Sequence, residues 1–246
     1  MSLVLPKSIK LTQSLTRERE IVAKLRANVE AFERKIEDPI HVSDLLEPRK
    51  AYWQRVDPKR FPDTAIMFFS MGYMGHDYLL GKFDSGSRTE GDLTWSPDGP
   101  TDSMLVPVPD TIVVEVKITT KRKIASTKSE LERYLKQVIC YMAKENKTKA
   151  EIWIWYLGNP SYPRIVVFTV ELTEKDLKKY SKQMDKKVKE LRMALDTKDH
   201  TSLPLCSREF CYRSRCDWYD QCKPEGRWKE KKEGTSCGQD SSQMEA

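Results

Sequence analysis

The chain has 246 residues, 39% of them hydrophobic and 33% charged, with 43 lysines and arginines against 37 acidic residues and a formal net charge of +6. This composition is typical of a globular protein of one or two domains, and no stretch approaches the roughly 20 apolar residues that cross a bilayer. Because the N-terminus also lacks the apolar core of a secretory signal, we expect a cytoplasmic protein without a membrane partner.

Helical periodicity dominates the first third of the chain. Residues 11–36 alternate charged and apolar side chains at helical spacing and predict a long amphipathic helix, and residues 64–80 predict a second one. Between them, Ser43 is a candidate N-cap and Pro48 marks a point where a helix stops or restarts. The turn residues around Leu93 then predict a short strand that forms a hairpin with the buried strand DTIVVEVKIT at 110–119.

The rest of the chain alternates helices and strands. Residues 129–146 have the spacing of a helix packed on a sheet, 151–158 and 164–172 predict strands, and 174–195 predict a long helix capped by Thr173. We therefore expect an N-terminal helical segment (1–40), an α/β core (41–200), a cysteine-rich module (201–226) and a basic, then disordered tail (227–246).

Two charged residues share one face of the predicted strand at 110–119. Strand side chains alternate, so Glu115 and Lys117 project together, away from Val116. Ionised side chains in such an apolar strand are costly unless they pair with each other, a metal or a substrate. With Asp92 on the preceding strand as a second carboxylate, the group fits hydrolysis of phosphodiesters assisted by Mg²⁺, with Lys117 orienting water. A simple salt bridge on a half-exposed strand is the alternative.

The cysteines are strongly clustered. Four of the six lie between positions 206 and 222, and in an intracellular chain such clustering favours metal ligation over disulfides. Four thiolates suit either a [4Fe–4S] cluster or tetrahedral zinc; the four are Cys206, Cys211, Cys216 and Cys222. Cys140 is expected to be a core thiol and Cys237 an incidental one.

Four short motifs occur in a fixed order: GHDYL at His76, GD at Asp92, EVK at Glu115, and QVICY from Gln137 to Tyr141. This order resembles the PD-(D/E)xK nucleases and, within them, the RecB-like exonucleases that include the CRISPR-associated iron–sulfur nucleases. The resemblance runs from about His41 to Cys222. It implies an α/β fold of the restriction-endonuclease type, a mixed central sheet flanked by helices, with a small C-terminal cysteine-rich metal-binding appendage.

The resemblance also implies roles for individual residues. Lys117 would be catalytic, and Gln137 and Tyr141 would lie beside the metal and contact the DNA strand. Without the other motifs, a glutamine and a tyrosine four residues apart more often mark a boundary between core and solvent. The expected ligands of Mg²⁺ or Mn²⁺ are the side chains of His76, Asp92 and Glu115 and the carbonyl of Val116.

For the cysteines, the resemblance favours iron–sulfur over zinc. Those nucleases use one N-terminal and three C-terminal cysteines, which join the two ends of the fold. Here Glu47 stands at the expected N-terminal position and Arg213 where a further C-terminal cysteine is expected. Either Cys206 supplies the fourth thiolate or the cluster has been lost.

The predicted function is a divalent-metal-dependent DNA exonuclease, a phosphodiester hydrolase, acting on single-stranded or frayed ends in recombination, repair or CRISPR spacer acquisition. Its partners would be DNA and other recombination or CRISPR adaptation proteins. A restriction-type endonuclease and a catalytically inactive DNA-binding module stay open as alternatives. Candidate DNA contacts are the basic run 121–123, the lysines of the last long helix, and the interleaved cations and aromatics Arg208, Tyr212, Arg213, Arg215, Trp218 and Tyr219.

Overall fold

The computed structural model of the chain describes residues 15–30, 34–80, 86–100, 104, 106–158, 164–206 and 216–222. Its helices are α1 (Leu15–Glu30), a 3₁₀ helix (Val42–Leu45), α2 (Pro48–Val56), α3 (Asp63–Leu80), α4 (Glu132–Glu145), α5 (Glu174–Thr197) and α6 (Tyr219–Cys222). Its strands are β1 (Ile40–His41), β2 (Arg88–Glu90), β3 (Leu93–Trp95), β4 (Ile112–Thr119), β5 (Lys149–Tyr156) and β6 (Arg164–Glu171).

The strands form two mixed sheets of three strands each, in the orders β1–β3–β2 and β4–β5–β6. In each sheet one neighbouring pair is parallel and the other antiparallel. The parallel pair β4–β5 needs a long crossover, and α4 provides it. The predicted α/β class, with mixed sheet structure flanked by helices, is confirmed.

The predicted hairpin is replaced by a looser junction between the two sheets. After β3 the chain pairs with β4 through a single antiparallel bridge, in which Gly99 N donates to Val114 O at 3.2 Å and Val114 N donates to Gly99 O at 3.0 Å. Pro97 and Pro100 flank this bridge and have no N–H to continue a ladder. The expected single central sheet is therefore divided in two.

Helices pack on both faces of the sheet at β4, whereas much of β6 is exposed. On one face, Val113 and Ile152 join the main core with residues of α4 and α5. On the other face, Val114 and Val116 pack with Leu79 of α3. Gly75 lets α3 approach the sheet, because a Cβ at this position would overlap Ile118 Cδ1. This close approach brings the middle of α3 near the edge of β4.

The predicted long helices are confirmed where the structure describes them. The predicted ranges 64–80, 129–146 and 174–195 correspond to α3, α4 and α5, and α2 begins at Pro48 as a restarting helix would. Ser43 is not the cap: His41 caps the 3₁₀ helix, its Nδ1 accepting from Ser43 N at 3.2 Å. None of the helices in the described ranges is long and apolar enough to span a membrane. The tail predicted for 227–246 lies outside those ranges.

Candidate active site

Glu115 and Lys117 form the centre of the candidate site. Both project from the same face of β4, as the alternation of strand side chains predicts, and Lys117 Nζ forms an ion pair with Glu115 Oε1. Glu115 is 1% exposed, and Lys117 is partly exposed. Lys117 therefore pairs with a buried carboxylate while part of its own side chain is in contact with solvent.

Asp98 is the second carboxylate of the site. It is buried, and its Oδ2 accepts a hydrogen bond of 2.7 Å from Val116 N at the edge of β4. Its other oxygen, Oδ1, lies 3.3 Å from Nδ1 of His76 on α3. The structure thus brings together His76, Asp98, Glu115 and Lys117. The sequence motifs predicted three of these residues and did not predict Asp98.

Asp92 does not join this group, which corrects its expected position. It lies at the turn between β2 and β3, where Arg192 of α5 holds its carboxylate with Nε to Oδ2 at 2.6 Å and NH2 to Oδ1 at 2.5 Å. The chain reaches the edge of β4 only after β3 ends, at the Gly99 bridge. The dipeptide Pro97–Asp98, ahead of the EVK motif, is the sequence signal that would have identified the right carboxylate.

The site places two buried acidic side chains, Asp98 and Glu115, beside Lys117. Burial raises the pKa of Glu115 to about 8; Lys117 opposes this rise and Asp98 adds to it. For Lys117, burial lowers the pKa, but the negative charges of Glu115 and Asp98 raise it by more, so the net shift is upward. Oε2 of Glu115 is buried and accepts no hydrogen bond from the described residues. A further positive charge beside this oxygen would be stabilised.

The donor set fits a hydrated divalent cation better than a cage made wholly of side chains. Among the described residues, no group of three or more His, Cys, Asp or Glu side chains is arranged to hold a metal. Mg²⁺, however, usually binds one or two carboxylates and keeps several waters. Asp98 and Glu115 supply two carboxylates. The N–H and C=O of a strand residue point to the same side, so the Val116 carbonyl faces the same edge as the N–H bound by Asp98.

Gln137 and Tyr141 lie on one face of α4, as their spacing predicts. Gln137 Nε2 donates to the Tyr141 hydroxyl at 2.9 Å. Tyr141 is 1% exposed, and its pKa is raised well above its usual value, first by burial and then by the charge of Glu115. The expected contact between Tyr141 and a DNA strand does not fit this burial. Tyr141 is instead buried, and its hydroxyl accepts the hydrogen bond that positions the partly exposed Gln137.

Three of the four clustered cysteines can be placed. Cys222 ends α6 and is buried, with Arg49 NH1 3.6 Å from its Sγ. Burial raises the pKa of the Cys216 thiol. Between Cys216 and Cys222, Tyr219 N donates to Cys216 O at 3.1 Å and Cys222 N donates to Trp218 O at 2.9 Å. Cys206 does not form a three-membered ligand group with them within the described chain. Cys211 lies outside the described residues, so the four-thiolate centre stays a prediction.

The aromatic and basic residues beside the cysteines are only partly placed. Trp218 is 4% exposed and donates from Nε1 to Asp57 O at 2.8 Å, so it packs against the end of α2 and is not a stacking surface for bases. Tyr219 begins α6 and is partly exposed. The remaining predicted contacts in this segment, Arg208, Tyr212, Arg213 and Arg215, fall outside the described ranges.

Comparison with known proteins gives structural neighbours only. No family model and no curated protein sequence matches the chain. The crystal structure of SSO0001 is similar at 16% identity and a TM-score of 0.49, over 85% of this chain and 96% of that chain. An alkaline exonuclease, LHK-Exo, from Laribacter hongkongensis is similar at 14% identity and a TM-score of 0.41, over 71% of this chain and 95% of that chain.

A second structure of that exonuclease, in complex with dAMP, is similar at 14% identity and a TM-score of 0.40, over 73% of this chain and 95% of that chain. Because these identities and TM-scores are low, we base the function of this chain on the residues of its own site.

Proposed function

We propose that this chain is a divalent-metal-dependent DNA nuclease that hydrolyses phosphodiester bonds at the edge of β4. One observation carries the proposal: two buried carboxylates, Asp98 and Glu115, lie together beside a single lysine, with Glu115 Oε2 left without a hydrogen-bond donor among the described residues. Buried charges are retained where they pair or coordinate a metal. A cation shared by the two carboxyl groups would stabilise their ionised forms.

Each residue of the site has a distinct chemical part. When bound, Mg²⁺ or Mn²⁺ supplies an activated water and neutralises the charge that grows on the phosphate. Asp98, Glu115 and the Val116 carbonyl would hold that ion. Lys117, partly exposed beside Glu115, would orient the attacking water and stabilise the charge of the transition state. His76 contacts Asp98 and would either bind the ion as well or keep this carboxylate in place.

The direct test is incubation of the purified chain with end-labelled single-stranded, duplex and closed circular DNA, in Mg²⁺, Mn²⁺ or EDTA. We expect metal-dependent cleavage of the linear substrates and none in EDTA. A fixed pattern of cuts in circular DNA would favour the restriction-type endonuclease. DNA binding without cleavage in either metal would refute the nuclease and favour an inactive binding module.

Lys117→Ala and Glu115→Gln test the mechanism. Loss of a group that stabilises transition-state charge costs about 10²–10³ in rate, so we expect a loss of at least that order in both variants. Circular dichroism confirms that the variants fold. Lys136→Ala is the matched control, because Lys136 is exposed and pairs along α4 with Glu132. Near wild-type cleavage by Lys117→Ala would remove the lysine from the mechanism.

The finer assignment rests on the order of the four sequence motifs. We infer an exonuclease on single-stranded or frayed ends, in recombination, repair or CRISPR spacer acquisition, from the resemblance to RecB-like exonucleases. The assay with linear and circular substrates distinguishes this activity, since an exonuclease leaves closed circles intact.

We also propose that the clustered cysteines bind a metal centre, [4Fe–4S] before zinc. The number of thiols in this short segment, four between positions 206 and 222, supports it. An anaerobic preparation should be brown and absorb near about 400 nm. A colourless protein that contains zinc would reverse the choice of metal.

A further inference from the structure

A cavity of about 300 Å³ opens where β4 and β5 end. It lies on the face of the sheet that carries α4. Its walls combine three cations, one acid and two tyrosines: Lys121, Arg122, Lys123, Glu130, Tyr134 and Tyr156. The volume is at the lower end of the range of small-ligand sites, which begins at about 300 Å³.

This cavity continues from the candidate active site. Glu115, Lys117 and Thr119 project from one face of β4, and Thr119 already lines the cavity. Lys117 Nζ lies 6.0 Å from the ring centroid of Tyr134, which forms a wall of the cavity. A polymer whose reacting phosphate lies at Lys117 would therefore place its next unit at this opening.

The positive charges at the opening are not all balanced. Lys123 Nζ binds Glu130 at 2.8 Å, and Glu130 is further occupied by Ser126 N at 2.7 Å. The exposed side chains of Lys121 and Arg122 form no ion pair or hydrogen bond within the described ranges. Two cationic groups are thus available to an anionic ligand.

The backbone around the cavity is fixed by packing and hydrogen bonds. Leu157 N donates to Thr119 O at 2.8 Å, and Ala125 N donates to the Tyr156 hydroxyl at 3.0 Å. Gly158 lies so close to Thr120 that a Cβ there would overlap the Thr120 carbonyl oxygen. The segment that carries Lys121 and Arg122 is therefore held in place before any ligand binds, which reduces the entropy lost on binding.

The larger cavity beside α2, of about 360 Å³, is a weaker candidate for an anion. Two of the arginines in its walls, Arg34 and Arg55, already pair with Asp44. The positive charges of these two arginines are therefore already compensated by an acidic side chain of the protein itself.

We propose that the cavity at the end of β4 and β5 binds the nucleotide next to the scissile phosphodiester of a single DNA strand, with Lys121 and Arg122 on its phosphate and the Tyr134 ring against its base. The inference rests on the proposed nuclease function. A base must be free of its duplex partner to lie against a side-chain ring, so the cavity selects unpaired DNA. Tyr134 is half-buried and offers a ring face, whereas Tyr156 is buried and serves as a wall.

The first test measures binding of a fluorescein-labelled oligothymidylate of about 12 nucleotides, in EDTA, as a function of salt. For the double variant Lys121→Ala with Arg122→Ala we expect roughly tenfold weaker binding and a salt dependence reduced by about 1.4 log units per log unit of salt, the value for two lost phosphate contacts on a single strand. The matched control is Lys24→Ala with Lys149→Ala, which removes the same charge from exposed positions of α1 and of the start of β5, away from the cavity. Equal losses in the two double variants would overturn the proposal.

The second test concerns the base. Tyr134→Ala should weaken binding by roughly tenfold, as loss of one stacked base does, whereas Tyr134→Phe keeps the ring and should bind as wild type does. Single abasic sites placed along the oligonucleotide should weaken wild-type binding at one position in particular, and at that position Tyr134→Ala should add no further loss. If the loss of binding caused by Tyr134→Ala and the loss caused by the abasic site add at every position, the ring does not contact a base.

Cleavage of the same oligonucleotide with Mn²⁺ separates the two proposals. If the wild type cleaves and the Lys121/Arg122 variant binds like its control, the subsite is wrong and the nuclease stands. If binding depends on Lys121, Arg122 and Tyr134 but no variant or wild-type protein cleaves, the nuclease is wrong and the cavity stands as a binding site for single strands. Failure of the wild type to bind the oligonucleotide overturns the subsite.

Discussion

Asp92 and Asp98 have different surroundings, and these surroundings determine which of the two carboxylates can share a cation with Glu115. Asp92 is partly exposed and held by two hydrogen bonds from Arg192, so its charge is already compensated. Asp98 is buried, binds the Val116 N–H and raises the pKa of Glu115. Of the two, only Asp98 lies where a cation could join it to Glu115.

Exchanging each aspartate for asparagine distinguishes these positions. Asp98→Asn removes a charged ligand and should lower metal-dependent cleavage by at least about hundredfold. Asp92→Asn should leave cleavage near wild type and lower the free energy of unfolding by at most about 1 kcal/mol, because its ion pair is partly exposed. Cleavage rates and urea unfolding measure both effects. The opposite pattern would return Asp92 to the catalytic group.

His41 should make the stability of the protein depend on pH. Burial, with a contribution from the charge of Arg34, lowers the pKa of His41 from 6.5 to about 4. The unfolded chain therefore binds a proton near pH 6.5 that the folded protein does not bind until about pH 4, so stability falls as the pH decreases between these values. The loss reaches at most about 1.4 kcal/mol per pH unit for one proton.

His41→Asn isolates this effect, since asparagine is an accepted helix cap but does not titrate. Urea unfolding of both proteins is compared at several pH values between neutral and 4. We expect the wild type to lose stability faster than the variant on acidification. Parallel curves would show that His41 does not contribute.

At the level of elements, glycines set the distances between neighbouring segments. A Cβ at Gly75 would overlap the flexible end of the Ile118 side chain, and a Cβ at Gly158 would overlap the backbone oxygen of Thr120. A side-chain end can rotate away, whereas a carbonyl moves only with its backbone. The two positions should therefore tolerate a methyl group very differently.

Gly158→Ala should destabilise the protein by about 1–3 kcal/mol, in the range of overpacking substitutions, and should also weaken binding of single-stranded DNA because it displaces the segment before Lys121. Gly75→Ala should cost less. Thermal unfolding and the oligonucleotide assay report the two effects. A smaller cost at Gly158 than at Gly75 would contradict the close packing of Gly158 on Thr120.

The sequence predicts the long periodic elements well and the short ones poorly. Regular spacing locates α3, α4, α5 and the strands β4, β5 and β6, and strand alternation places Glu115 and Lys117 on one face. The strands β1 to β3 have only two or three residues each and no period to detect. Because the pairing of these short strands decides where the chain after β3 meets β4, the sequence motifs indicate Asp92 and not Asp98.

For the whole molecule, the described C-terminal segments are anchored on α2. The buried Arg49 donates to Leu203 O and, at 3.2 Å, to Thr201 O, and Trp218 Nε1 donates to Asp57 O. Glu47, at the position of the expected N-terminal cysteine, is only two residues before Arg49. The two ends of the fold therefore meet around Arg49 by hydrogen bonds.

Arg49→Ala should weaken this junction. The carbonyl of the buried Leu203 loses this donor, and a buried polar group without a partner costs about 1–3 kcal/mol. We expect a lower unfolding midpoint and faster proteolysis after residue 198, measured by urea unfolding and limited proteolysis. Lys50→Ala is the neighbouring control and should change neither. Unchanged proteolysis in Arg49→Ala would show that other contacts hold the segment.

The bridge between Gly99 and Val114 links the geometry of the site to the angle between the two sheets. Asp98 is adjacent to this bridge on one side and Glu115 on the other, so a rotation of one sheet against the other changes the separation of their carboxylates. A ligand bound to both carboxylates would therefore restrict the rotation of one sheet against the other. Mutations that loosen the small β1–β3–β2 sheet should then reduce cation affinity from a distance, without altering any atom that coordinates the ion.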